Sequence, residues 1–150
     1  MHEIDKAEET KALTTQEKID ELEKEMLKYP QVHWEINHHF GPGVYVREMR
    51  IPAGAFILGH KHKHPHLCAL LQGALRIARN DGTSFDIAAP FMYTADPGRK
   101  AMLCLADAVF VNIHPNIENE TDIDAIEDRW VEKSEAWKEA NQNKMLPEKE

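Results

Sequence analysis

Gly54-Ala55-Phe56-Ile57-Leu58-Gly59-His60-Lys61-His62-Lys63-His64-Pro65-His66-Leu67-Cys68-Ala69-Leu70-Leu71-Gln72-Gly73 is the stretch on which the reading of this chain turns. Its four histidines stand at every second position. Side chains alternate across an extended strand, so residues spaced by two share one face. Neutral imidazole is a ligand for Zn, Fe, Ni, Cu and Mn, and a row of such rings on one face is a natural place for a metal. Pro65 cannot donate to a ladder, which ends the first strand near His62 or Lys63 and starts the next around His66. His64, between Lys63 and Pro65, then reads as a loop residue.

Outward from this segment the chain is rich in β-formers. Nine short runs lie between Val32 and His114, among them Val44–Ile51, Ala74–Arg79, Ala101–Leu105 and Ala108–His114. They are separated by turn signals at Gly41-Pro42-Gly43, Pro52-Ala53-Gly54, Asn80-Asp81-Gly82, Ala89-Pro90, Asp96-Pro97-Gly98 and Ala106-Asp107. Short strands at roughly ten-residue spacing predict an all-β sandwich or barrel.

Both ends have a different texture. Thr14-Thr15-Gln16-Glu17 reads as a capping box. Ile19, Leu22, Met26 and Leu27 follow at helical spacing, and Tyr29-Pro30 stops the helix. Residues 1–13 show no sustained period and read as mobile. Past His114-Pro115, Thr121 and Asp124 offer another cap before Ile123, Ile126, Trp130 and Trp137. The two tryptophans read as packing or dimerisation anchors, and the tail Asn141–Glu150 as frayed. The expected organisation is one domain: residues 1–30 a tail and amphipathic helix, 31–115 the barrel, 116–150 a C-terminal helix and tail.

The net charge of −8 over 150 residues argues against a nucleic-acid partner. Residues 1–28 carry nine acids against five bases, and residues 116–150 eleven against five. The ends thus hold −10 and the middle +2, and eight of the nine histidines lie in that middle. No apolar run reaches the roughly 20 residues of a membrane helix, and Met1-His2-Glu3-Ile4-Asp5 is no secretory signal, so a cytoplasmic protein is expected. Cys68 and Cys104 sit in apolar runs and read as buried small hydrophobes.

The histidine segment resembles the first motif of the cupins. Gly54, five residues, His60, Lys61, His62, three residues, the position of His66, six residues and Gly73 reproduce its spacing; His66 stands where the motif has glutamate. The resemblance implies a double-stranded β-helix, or jelly-roll barrel, with flanking N- and C-terminal helices and a divalent transition metal (Fe, Mn, Zn or Ni). The second cupin motif, a histidine just after a proline-glycine turn, is not matched, because Arg99, Lys100 and Ala101 follow Pro97-Gly98. His114 is the substitute. Phe110, Asn112 and His114 share one strand face, and in a jelly roll the last strand neighbours the one that follows the first histidine pair.

The chain is also similar, over about residues 38–128, to small phage-type and bacterial cupins of uncharacterised activity. The likeness rests on His38-x-Phe40, Gly43-Val44-Tyr45-x-Arg47-Glu48-Met49, Ile51-Pro52-Ala53-Gly54, His62-x-x-x-His66 and the late His114. It implies His62, His66 and His114 as the recurring ligands, with His60 as a fourth or a replacement. Arg47, Glu48 and Tyr93 are the substrate-binding candidates, Arg47 as a carboxylate anchor. Glu48 and Tyr93 are also the acid–base candidates. Arg76 and Arg79 read as solvated. Two functions follow: a metal-dependent oxygenase, isomerase or lyase acting on a small polar substrate in the barrel mouth, or a non-catalytic metallo-cupin serving as a binding or structural module. Its expected assembly is a homodimer.

Overall fold

A computed structural model describes residues 15–31, 33–79 and 81–141. The capping residue Thr14, the segment 1–13, and the tail beyond Asn141 lie outside the described residues. Helix α1 covers Thr15–Met26; strands β1 to β8 cover Glu35–Gly41, Gly43–Ile51, Phe56–Leu58, Lys61–His62, His66–Ala78, Ser84–Ala88, Phe91–Ala95 and Ala101–Asn116; helix α2 covers Ile123–Trp130, β9 Val131–Glu132 and α3 Glu135–Ala140. No described helix is long and apolar enough to cross a membrane.

Seven strands form one antiparallel sheet ordered β1-β2-β8-β5-β6, with β3 against β8 and β7 against β5. Two long strands organise it. β8 pairs with β2 and β5 through its C-terminal half, and with β3 and β5 through its N-terminal half. β5 in turn pairs with β6, β7 and β8. Strands that serve two sets of neighbours must bend, and the resulting rolled sheet is a jelly roll.

Two expected breaks are bends in continuous strands. Leu67–Leu71 and Ala74–Arg79 join in β5, whose register slips on either side of Gly73. Gly73 has φ 86°, and a Cβ there would sit against the Asp107 carbonyl oxygen and 2.7 Å from that of Ala106, so only glycine lets the strands touch. Ala106-Asp107, read as a turn, lies within β8. The Asp107 carboxylate accepts from the Ala53 amide at 2.8 Å, so it serves the neighbouring Pro52–Gly54 corner instead of turning its own strand.

The core sits between the rolled faces: Met49, Ile51, Ile57, Leu70, Leu75, Ile77, Ile87, Phe110 and both cysteines, which are free. At about 1.5–3 kcal/mol for each large buried side chain, this cluster is the main drive for folding.

The end helices pack differently from expectation. On α1 the buried positions are Ile19 and Glu23, one turn apart, while Leu22 is 41% exposed. Glu23 is buried because Arg99 reaches it from the barrel, through Nη1 at 2.9 Å and Nη2 at 2.8 Å. The C-terminal segment is two short helices around β9. Asp122 caps α2 through the Asp124 amide, and Ser134 caps α3 through that of Trp137. β9 pairs with β4, Lys61 opposite Glu132 and His62 opposite Val131, which folds the C-terminal segment back over the histidine segment.

Candidate functional site

Antiparallel register stacks the inner face of the barrel into rows. Met49 lies opposite Phe110 and Phe110 opposite Leu70, an apolar row in the core. One step toward the mouth, Arg47 lies opposite Asn112, Asn112 opposite Cys68, and Cys68 opposite Tyr93, a polar row across four strands. One step further, Tyr45 lies opposite His114, and His66 follows His114 because Leu67 pairs with Ile113. The period-two pattern of β8 thus carries Phe110, Asn112 and His114 onto one face.

Three of the predicted histidines come together at this mouth. The rings of His62 and His66 stack with centroids 4.1 Å apart; His66 and His114 are 5.0 Å apart, and His62 and His114 5.9 Å. They arrive from β4, β5 and β8. His62 is pinned by reciprocal backbone hydrogen bonds with Gly98, of 3.0 and 2.9 Å. His60 is not brought into the stack. Its ring packs edge-on against Trp137 at 5.1 Å, and the residue lies between β3 and β4, outside either strand. His64 lies exposed at a bend, its ring edge-on to Trp130.

Burial holds these imidazoles neutral. It pulls His62 down to about 3, with the nearby His66 and His114 adding to the effect. His114 falls to about 4 through burial, then through His66 and Arg47, and His60 to about 4 through burial and Lys133. Burial also holds His66 below its ordinary value, opposed by a hydrogen bond to the His64 carbonyl. Nδ1 of His60, His62 and His114 is buried with no hydrogen-bond partner among the described residues. Buried neutral nitrogens lacking protein partners suit a metal. The rings are stacked, however, and as they stand no group of three His, Cys, Asp or Glu among the described residues is arranged to hold a metal ion. Nitrogen lone pairs lie in the ring plane, so a shared ion requires the rings to rotate out of the stack.

The substrate-binding candidates separate. Arg47 and Tyr93 line a cavity of about 480 Å³ that also holds the histidines. Glu48 does not. Alternation turns it to the opposite face of β2, where its carboxylate meets His39 at 2.9 Å, Arg50 at 2.7 Å and Asn37 at 3.2 Å. Arg47 and Glu48, being adjacent in a strand, cannot both face one cavity. Burial pushes the Tyr93 phenol well up, with the hydrogen-bonded Cys68 adding to it; burial likewise pushes the Cys68 thiol up to about 12. His38 is tied to the Tyr45 hydroxyl at 2.7 Å, and Arg76 makes an exposed ion pair with Asp86 at 2.8 Å.

Four cavity residues have no signal in the histidine motif. Trp130 stacks on His114 at 4.6 Å and 29°, and Trp137 meets His60, so both tryptophans belong to the site instead of a remote packing face. Glu127 lines the cavity from α2, and Glu23 from α1. Only the hydrophobic spacing of α2 hinted that the C-terminal segment packs on something.

No family model matches this chain, and no curated protein does. Solved structures do. Ectoine synthase from P. lautus matches with a TM-score of 0.50 at 17% identity, over 59% of this chain and 67% of that one. A cupin-2 domain containing protein from Shewanella frigidimarina matches at 0.46 and 14%, over 63% and 91%. A cupin domain from Bordetella pertussis matches at 0.45 and 19%, over 58% and 97%. Likeness at such identities concerns the fold alone. That fold is the cupin jelly roll, here a small one flanked by short helices.

Proposed function

We propose that this protein is a metal-binding cupin whose His62, His66 and His114 hold a divalent transition metal (Fe, Mn, Zn or Ni) at the mouth of a ligand-binding barrel. The observation that carries this is the meeting of three imidazoles from three strands, His66 and His114 buried and His62 half-buried, two of them with an unpartnered Nδ1. His60, against Trp137, is the reserve ligand. A metal bound there would supply Lewis-acid activation of a substrate or of dioxygen, the chemistry of an oxygenase, isomerase or lyase. Arg47 orients the substrate and the tryptophans keep water from it.

One observation favours the non-catalytic alternative. Glu48 is turned out of the cavity, and Tyr93 is held protonated, so neither is placed as a general base. The same metal would then brace three strands without turnover. The homodimer also belongs to this proposal. Leu67, Leu71 and Met92 are exposed apolar side chains on the neighbouring strands β5 and β7, and size-exclusion chromatography with light scattering tests whether two chains bury them.

Elemental analysis of the purified protein tests the metal. A stoichiometric transition metal is expected, lost in His62→Ala and His114→Ala and retained in His64→Ala. Absence of metal, or equal metal in all three variants, refutes the site.

A further inference from the structure

Arg47 sits on the inner face of β2 between Tyr45 and Met49, which are 2% and 4% exposed. A guanidinium stays charged in a protein, and placing it among such neighbours is costly without a counter-charge. None is supplied. Its one hydrogen-bonded partner among the described residues is the Met49 sulfur, at 3.0 Å. The two carboxylates that line the cavity are engaged elsewhere: Glu23 with Arg99 at 2.8 Å, and Glu127 with Lys133 at 2.8 Å. A second cation in the cavity wall, Lys100, donates to the Asp96 and Pro97 carbonyls, at 3.0 and 3.4 Å, and has the Asp96 charge beside it. Arg47 is therefore a cavity cation with no ion-paired carboxylate among the described residues.

The rest of the wall is not that of a small polar substrate. Trp34, Phe56, Met102, Phe110 and Trp130 line the same space. Its volume of about 480 Å³ falls among ordinary small-molecule sites. An inorganic anion or acetate would leave most of this surface facing water. A dianion would bring more charge into this largely apolar cavity than the half-buried Arg47 guanidinium alone neutralises.

We propose that the cavity binds a monocarboxylate with an aromatic or comparably bulky apolar body, its carboxylate on Arg47 and its body against the Trp34–Phe56–Phe110 wall. This deepens the substrate class of the proposed function and rests on its reading of the cavity as a ligand site. It does not require the metal to be bound.

Calorimetric titration of the purified protein with three probes tests it: hydrocinnamate, hydrocinnamamide and propionate. The amide keeps the body and removes the charge; propionate keeps the charge and removes the body. Hydrocinnamate is expected to bind roughly tenfold or more tightly than either, as a charge-assisted fork and a buried ring each imply. In Arg47→Met the preference for acid over amide should vanish. The proposal is overturned if acid and amide bind alike, if propionate binds as well as hydrocinnamate, if Arg47→Met keeps the preference, or if none of the three binds. The wild-type series decides even where the variant fails to fold. Metal content measured on the same samples separates the two readings. Arg47-dependent binding without metal sinks the metal site and leaves the carboxylate site standing; metal with no acid–amide difference does the reverse.

Discussion

The indole of Trp130 lies nearly flat on the imidazole of His114, centroids 4.6 Å apart and planes 29° apart. A helix at the C-terminal end of the chain thus covers a ring that the last barrel strand presents. Ring rotation around an incoming ion would disturb this stack directly. Adding nickel to metal-stripped protein is therefore expected to quench tryptophan emission, and Trp130→Phe to remove most of the change. Trp34 and Trp137, the other tryptophans, also line the cavity, and the change left in Trp130→Phe measures their share. Unchanged wild-type emission at saturating nickel would count against His114 as a ligand.

Stability of the metal-free protein should depend on pH through the buried histidines. His62, near 3, and His114 and His60, near 4, all lie below the ordinary 6.5. Between those values the unfolded chain holds protons that the folded chain does not, so stability falls as pH is lowered through that window. Each group contributes a slope of up to about 1.4 kcal/mol per pH unit. Urea midpoints should therefore drop between about pH 7 and about pH 5, and drop less in His62→Gln. A midpoint that stays level would show these rings to be solvated.

Arg99 fastens both end segments to the barrel. Its guanidinium and Glu23 have side chains only 5% and 7% exposed, and Glu23 also accepts from Ser134 Oγ at 2.5 Å. Arg99 Nε donates to the Gly59 carbonyl at 2.9 Å, beside the histidine segment. Removing one partner of a buried pair costs about 3–5 kcal/mol, whereas replacing both with apolar residues is often neutral. Glu23→Ala should approach that loss in chemical denaturation, and Glu23→Leu with Arg99→Met should recover much of it. A loss in Glu23→Ala below about 0.5 kcal/mol, the scale of ordinary surface changes, would mean that the pair is solvated in solution. Burial raises the Glu23 carboxyl, but the Arg99 and Ser134 hydrogen bonds outweigh it and hold it below the ordinary 4.5. Its contribution is thus complete above that pH and lost as pH falls through the lower folded value.

The β-rich barrel was legible from local periodicity, whereas the grouping of His62, His66 and His114 was implied by the resemblance to cupins together with that periodicity. Spacing by two carries Phe110, Asn112 and His114 onto one face, and the glycines at 54 and 73 bracket the segment. Glu48 needed the same rule applied more strictly: adjacent strand residues face opposite ways, so naming it beside Arg47 for one cavity was inconsistent with the strand that held them. What stayed hidden depends on contacts between distant segments. The β4–β9 ladder pairs two residues with two, seventy positions apart, too short to leave a pattern, and together with the Lys63–Trp130 backbone bond and the Ser134–Glu23 contact it brings Trp130, Trp137 and Glu127 over the mouth. Arg99 was read as the gap where a second-motif histidine belongs. A single arginine after a turn gives no hint that a glutamate on the first helix is buried to meet it.

Three glycines separate steric need from conformational need. Gly73 has φ 86° and no room for a Cβ, since backbone carbonyls of Asp107 and Ala106 occupy that space. Gly54 has φ 89° with nothing within 4 Å, and Gly41 is equally open without a positive φ. An alanine at position 54 therefore meets only the left-handed penalty, about 1–2 kcal/mol. At position 73 it adds a clash with backbone that cannot swing aside, as a side chain could, for a total of about 3 kcal/mol or more. At position 41 the change should stay within about 0.5 kcal/mol. Urea unfolding of Gly73→Ala, Gly54→Ala and Gly41→Ala should rank them in that order of loss. Gly54→Ala falling as far as Gly73→Ala would place the constraint in the turn instead of in the close approach of β5 to β8. That approach sets the register carrying His66 and His114 to the same mouth, so a folded Gly73→Ala should also bind less metal than Gly54→Ala.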